Sequence, residues 1–196
     1  MSTHAVTANG HGGEVRTAAE RTRRVRINRF GLWLFFISDG LLFGIMAAAR
    51  FAIADTYVDE GLSQVLGLGL TSILLVSSLT AFFAEIAITS GNIRRGQLLF
   101  LITIVLGAIF LGGVVVEWSI AEFSASEPYG TAFFSMTGVH ATHVATGILF
   151  LMLAWVLAHR GRFDDGNTFG AQGIVMYWHF VDVVWVFFYP ILYLLQ

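Results

Sequence analysis

Long apolar segments alternate with short polar connections along nearly the whole chain of 196 residues. A helix needs about 20 mainly apolar residues to cross a hydrocarbon core of about 30 Å, and five segments meet that requirement. They cover residues 30–54, 66–88, 97–118, 131–158 and 172–195. The pattern predicts an all-α, polytopic membrane protein built as a bundle of five transmembrane helices.

Residues 1–29 form a separate polar segment, which carries six of the 11 arginines and no apolar run. We expect it to be a flexible cytoplasmic tail that precedes a transmembrane domain of residues 30–196. Ten of the arginines lie on the amino-terminal side of the predicted spans, and Arg50 lies on the other side. Because basic residues concentrate inside, the amino terminus is predicted inside and, after an odd number of spans, the carboxyl terminus outside.

The first span has an alternative interpretation as a cleaved signal peptide. An arginine-rich stretch precedes it, and Ala47, Ala48 and Ala49 could imitate a small-residue cleavage site. However, the apolar stretch is longer than the hydrophobic region of a signal peptide, and Asp39 interrupts it. The sequence therefore favours a retained span.

Composition narrows the class of protein further. Hydrophobic residues make up 56 % of the chain and charged residues 12 %, whereas a soluble domain averages about 25 % charged residues. The absence of cysteine excludes disulfides, thiolate metal sites and thiol nucleophiles. The length allows one compact unit, so we expect no appended soluble catalytic domain. We also expect no nucleic-acid partner.

Several ionisable side chains lie inside the predicted spans, where a charge is costly and commonly functional. With a rise of 1.5 Å per residue, five of them fall at one level, about 10–16 Å from the inner boundary, while two glutamates lie near helix ends. The five are Asp39, His140, His143, His179 and Asp182, and the glutamates are Glu85 and Glu117. Within each histidine-bearing helix the spacing is i, i+3, which places both members on one face, so the five could meet.

Three interpretations fit this group of five. The simplest is a hydrogen-bonded network that fixes helix packing, since polar side chains bond across helices in membranes. Asp39 or Asp182 could also handle protons, and three histidines with two carboxylates could bind a metal, although the ligand spacing is weak. Glu85 and Glu117 could simply reach toward water.

The fifth span contains a specific motif. Residues 176–185 read Met-Tyr-Trp-His-Phe-Val-Asp-Val-Val-Trp and resemble the Tyr-Trp-His-Phe-Val-Asp-Val-Val-Trp signature of subunit III of the haem-copper oxidases, both cytochrome c and quinol types. The pattern from Phe133 to Gly147 resembles the penultimate helix of that family, and Gly31 to Asp39 resembles its carboxylate-bearing helix. Asp39 stands where longer members carry a glutamate.

The resemblance implies a short form that corresponds to the last five of seven helices. It implies an accessory subunit that is not itself catalytic and binds no metal, haem or copper; these cofactors are expected in the partner catalytic subunit. Other implied partners are the remaining oxidase subunits and membrane lipids, including a structural phospholipid. The implied location is the bacterial cell (inner) membrane, and the implied role is to support proton uptake and durability during oxygen reduction.

Other functions remain open from the sequence. An accessory subunit of a nitric-oxide reductase system shares these motifs. A standalone proton-coupled transporter could also use carboxylates and histidines at mid-membrane depth, and a metalloenzyme is a third alternative. These alternatives differ in the partners, substrate flux or metal content that they predict.

Overall fold

Helices are the only regular secondary structure in the residues that the computed structural model describes, which are 10–59, 61–163 and 168–195. Five α-helices are followed by one π-helical turn. The helices are α1 (Gly10–Ala54), α2 (Gln64–Thr89), α3 (Ile93–Ile120), α4 (Pro128–His159) and α5 (Phe169–Tyr189), and the π-helical turn is Pro190–Leu194. All five helices are long and apolar enough to cross a membrane, so the predicted five-helix transmembrane architecture is confirmed.

The first helix begins earlier than the predicted span. It includes residues 10–29, which the sequence analysis placed in a flexible tail. Alanine, glutamate and arginine, which favour helix, are frequent in this segment, but it lacks the apolar run by which the span was identified. The flexibility of the tail and its cytoplasmic side stay predictions, and residues 1–9 lie outside the described part of the chain.

Short connections with specific caps join the spans. Ser63 precedes α2 as its amino-terminal cap, and its hydroxyl accepts a hydrogen bond from the Leu66 amide. Asn92 caps α3 in the same way, and its side chain accepts a hydrogen bond from the Arg95 amide. Each cap satisfies an amide that has no partner inside its helix. Gly91, which follows α2, has φ +80°, a backbone conformation that glycine adopts without steric cost.

The contacts divide the chain into two compact units, Met1–Ile37 and Ser38–Gln196. In the second unit, α2 packs on α3, α3 on α4, α4 on α5, and α5 packs back on α2. The part of α1 from Ser38 onward joins this unit at Phe43, whose ring lies 4.9 Å from the His143 ring on α4 and 5.5 Å from the Phe188 ring on α5. Four helices therefore form a closed arrangement that the carboxyl-terminal half of α1 contacts from the side.

Glycines make room for the largest side chain of the core, the fully buried Trp178 of α5. A Cβ atom at Gly107 of α3 would lie 2.7 Å from the Trp178 ring, and one at Gly147 of α4 would lie 2.8 Å from it. Real Cβ atoms do not approach so closely. The indole therefore occupies a space that exists because both facing helices lack a side chain at these positions.

The carboxyl-terminal turn differs from a regular α-helix because of Pro190. Proline has no amide hydrogen and cannot continue the α-helical hydrogen-bond ladder. The chain continues as a π-helical turn to Leu194, in which Tyr193 is fully buried. This turn returns the end of the chain to the core beside α2 and α3.

Candidate functional site

The structure brings Asp39 of α1 next to His143 of α4. Asp39 Oδ2 lies 3.2 Å from His143 Nε2, and the two side chains are 12 % and 18 % exposed. The distance is that of an ion pair, but the geometry is not that of an aligned hydrogen bond. Asp39 was predicted at this level from its depth along the span, and its proximity to His143 fits that expectation.

A second contact of His143 constrains where a proton lies. His143 Nδ1 is 2.8 Å from the Val139 carbonyl oxygen, and a carbonyl can only accept, so we assign the hydrogen to Nδ1. In a neutral imidazole, Nε2 would then present a lone pair toward the Asp39 carboxyl. The contact is attractive only when a proton resides on Nε2 or on the carboxyl. The structure therefore places a carboxyl oxygen of α1 in contact with an imidazole nitrogen of α4.

The Asp39–His143 pair is also held from α5. The Tyr177 hydroxyl donates to the His143 carbonyl oxygen at 3.2 Å, and the Phe43 ring lies edge-on to the imidazole. The Tyr177 bond holds the α4 backbone at His143, and the Phe43 ring packs against the imidazole. The pair is thus positioned by three helices.

His179 and Asp182 of α5 face α2 and not the Asp39–His143 pair. His179 Nδ1 lies 2.7 Å from the Ser78 hydroxyl oxygen. Asp182 is 4 % exposed, and neither of its carboxyl oxygens has a hydrogen-bond partner. His179 and Ser78 thus form a second polar cluster, with the Asp182 carboxyl about one turn away along α5.

His140 belongs to neither cluster. It is fully buried, its ring lies 4.9 Å from Trp185 and 5.8 Å from Phe110, and neither ring nitrogen has a hydrogen-bond partner. The contacts of these side chains therefore do not join all five in one cluster. Positions three apart on a helix differ in direction by about 60°, and here that difference sends His143 toward α1 and His140 into the aromatic core.

The two glutamates have different environments. Glu117 is 1 % exposed and its Oε2 accepts a hydrogen bond of 2.7 Å from the Tyr193 hydroxyl. The interpretation that Glu117 reaches water is wrong, because the π-helical turn places Tyr193 over it. Glu85 is partly buried near the end of α2, and its role stays a prediction.

Sequence reasoning missed the tryptophan hydrogen bonds that join helices. Trp178 donates to the Ser77 hydroxyl at 3.1 Å and Trp185 to the Thr71 hydroxyl at 3.0 Å, which ties α5 to α2 in antiparallel register. An indole N–H buried in a membrane needs an acceptor. The similar spacing of the two indoles along α5 and of the two hydroxyls along α2 could have revealed the pairing.

Arg50 has a structural role in addition to the charge from which the topology was predicted. Its side chain is fully buried and donates to the carbonyl oxygens of Asp55 and Tyr57, while the guanidinium lies 5.5 Å from the centre of the Tyr129 ring. These contacts satisfy two backbone carbonyls of the connection that follows α1. The arginine therefore holds this connection against the end of α1.

The metal-site interpretation gains no support from the geometry. Among residues 10–59, 61–163 and 168–195, no three histidine, aspartate or glutamate side chains lie where they could hold one ion. His143 and His179 each use Nδ1 in a contact with a carbonyl or hydroxyl. The site offers a carboxyl–imidazole contact between α1 and α4 and a separate cluster around the Ser78 hydroxyl.

Comparison with known proteins agrees with the signature in α5. A sequence model of the family described as cytochrome c oxidase subunit III matches residues 13–196. Cytochrome c oxidase subunit 3 of Thermostichus vulcanus is 32 % identical over 172 residues, covering 84 % of this chain and 86 % of the relative. The protein of that name from Bacillus sp. (strain PS3) is 33 % identical over 179 residues, covering 86 % of each chain.

Longer relatives match over a smaller share of their length. Cytochrome c oxidase subunit 3 of Neurospora crassa is 37 % identical over 173 residues, which are 81 % of this chain and 64 % of the relative. The match nevertheless includes most of the described helices. On this evidence, the chain belongs to the cytochrome c oxidase subunit III family.

Proposed function

We propose that the chain is an accessory, noncatalytic subunit of a respiratory terminal oxidase, a complex that reduces oxygen to water and moves protons across the membrane. The observation that carries the proposal is the match to the subunit III family over residues 13–196. The near-equal coverage of this chain and of the Bacillus relative supports a short form of that subunit. The catalytic subunit I is the proposed principal partner, in a bacterial inner membrane with the amino terminus inside.

The chain's own residues support an accessory role. Two ionisable groups of the spans are used in hydrogen bonds between helical segments, His179 with Ser78 and Glu117 with Tyr193. Haem and copper would be held by the partner catalytic subunit. His140, whose two nitrogens are unbonded, is enclosed by aromatic rings, which is an environment that fits a packed core residue.

The Asp39–His143 pair is the proposed functional element. It can hold one proton, it lies in the membrane, and it retains partial exposure. A group of this kind can exchange a proton with a neighbouring surface, whereas the fully enclosed His140 has no such path. We propose that the pair helps to retain protons near the uptake path of the catalytic subunit.

A structural phospholipid is the proposed occupant of an apolar groove between α1 and α5. The groove has a volume of about 380 Å³ and is lined by Gly40, Phe43 and Gly44 on one side and by Phe180 and Phe187 on the other, among other apolar side chains. Small residues on α1 open the groove, and aromatic rings on α5 form its wall. This shape and polarity suit an acyl chain.

The test of the proposal is purification of the affinity-tagged chain from its native membrane after gentle solubilisation. We expect a haem-copper catalytic subunit to co-purify, with the absorption spectrum of its haems and with oxygen consumption. An untagged strain carried through the same steps controls for non-specific recovery. Recovery of the chain alone, with no haem in the fraction, would contradict an oxidase subunit, and nitric oxide reduction without oxygen consumption would point to a different complex.

A further inference from the structure

The amino-terminal part of α1 concentrates positive charge directly before the span. Six arginines lie between residues 16 and 29 of the sequence, where the acidic residue is Glu20. The segment is helical from Gly10, and the apolar span begins at Val25. At 1.5 Å per residue, Arg23 and Arg26 lie within about 11 Å of Phe30, so they reach the headgroup layer when the span crosses a bilayer.

Two of these arginines share one concave surface. Thr22, Arg23, Arg26 and Ile27 line a depression of about 660 Å³. Arg23 and Arg26 are three positions apart, a spacing that places side chains side by side on a helix, and both are exposed. Ile27 is 57 % exposed beside them. The depression therefore combines two guanidinium groups with the apolar side chain of Ile27, which lies at its end nearer to the membrane span.

We propose that Arg23 and Arg26 bind the phosphate of an anionic glycerophospholipid where α1 enters the membrane. Guanidinium groups donate paired hydrogen bonds to phosphate oxygens, and basic residues next to a span attract anionic lipids. Ile27 suits the apolar glycerol and acyl region just below the phosphate. A zwitterionic headgroup is disfavoured because its own ammonium group meets the same positive surface.

This site differs from the apolar groove between α1 and α5 and does not require an oxidase partner. Its ligand contacts are polar and lie at the membrane surface, whereas the groove contacts are apolar. The inference rests on the membrane-spanning role of α1. Lipid binding can therefore be measured on the full chain whether or not other subunits co-purify, which separates this test from that of the proposed function.

The experiment measures phosphatidylglycerol bound to the full chain in neutral detergent, by native mass spectrometry over a titration. The variant is Arg23→Gln/Arg26→Gln. The matched control is Arg94→Gln/Arg95→Gln, which removes the same charge from two exposed arginines on the same predicted side of the membrane. Each arginine near an anionic surface contributes about a factor of five to the affinity for an anionic lipid. Because the first variant lacks two arginines, it should bind phosphatidylglycerol about 30-fold more weakly.

The outcomes separate a site from general charge attraction. The inference expects that the control variant keeps most of its phosphatidylglycerol, and that added salt releases the lipid from the unaltered chain but changes little in the Arg23→Gln/Arg26→Gln variant. Equal loss in both variants would overturn it, since net charge would then explain the binding. Equal binding of phosphatidylcholine, or displacement of the lipid by millimolar inorganic phosphate, would also overturn it.

Discussion

The Asp39–His143 pair and the core around Trp178 show two different uses of polar groups within one membrane domain. In the core, Trp178 and Trp185 donate to hydroxyls of α2, and both indoles are almost fully buried. Asp39 and His143 instead meet at the side of the closed four-helix arrangement and keep part of their surface exposed. The core hydrogen bonds are aligned and enclosed, while the carboxyl–imidazole contact is neither.

In the proposed function, this difference separates structural polar groups from functional ones. An aligned, enclosed hydrogen bond stabilises one arrangement of the packed helices and offers no route by which a proton could be exchanged. A loosely aligned pair that can hold one proton and that reaches the helix surface can exchange that proton with a neighbour. Substitutions in the core should therefore affect stability most, whereas a substitution in the Asp39–His143 pair should affect turnover with little loss of stability.

The largest expected effect on stability is that of Trp178→Ala. The indole fills the space left by Gly107 and Gly147, so its removal leaves a cavity and takes away the N–H donor to the Ser77 hydroxyl. Loss of a buried aromatic side chain lowers the free energy of unfolding by about 3–5 kcal/mol. Thermal or detergent-induced unfolding of the purified chain measures the change. Trp33→Ala is the control, because Trp33 is 53 % exposed. An equal loss of unfolding free energy in both variants would contradict the account of the core.

A smaller loss is expected for Tyr193→Phe. The substitution leaves Glu117 buried without its 2.7 Å hydrogen-bond donor, and an unsatisfied buried polar group costs about 1–3 kcal/mol. The same unfolding measurement applies. Tyr57→Phe is the matched control, since its hydroxyl bonds Asp59 in an exposed position and its loss should be close to neutral. A neutral Tyr193→Phe variant would mean that Glu117 is satisfied in another way.

The smallest expected effect is the coupling between Ser78 and His179. Their 2.7 Å contact crosses from α2 to α5, and interhelical hydrogen bonds in membranes average about 0.6 kcal/mol. A double-mutant cycle with Ser78→Ala and His179→Phe isolates that value from the loss of each side chain. A coupling energy of zero would show that the contact contributes nothing to helix association.

Much of the fold followed from the sequence because the membrane imposes a simple length requirement. The apolar runs identified every span, and the segment 66–88 lies wholly inside α2. The helical extension of α1 to Gly10 was not predicted, because a polar helix carries no apolar run by which to identify it. The π-helical turn was likewise missed, although Pro190 indicated that the α-helix could not continue unchanged.

The candidate site was predicted only in part, for a reason of helix geometry. Depth along the spans correctly placed Asp39 and His143 at one level. Depth gives no direction around the helix axis, however, and the i, i+3 spacing was too coarse to show that His140 points into the core while His143 points to α1. Burial of Glu117 depended on the path of the chain after Pro190, which no local pattern encodes.

The most direct test of the central claim is turnover of the assembled oxidase with Asp39→Ala. We expect slower steady-state proton uptake or faster inactivation during turnover, with an unchanged haem spectrum and a loss in unfolding free energy of less than about 1 kcal/mol. Ser78→Ala, which alters the other polar cluster, should leave turnover unchanged. Full activity of Asp39→Ala through prolonged turnover would contradict a functional role for the Asp39–His143 pair.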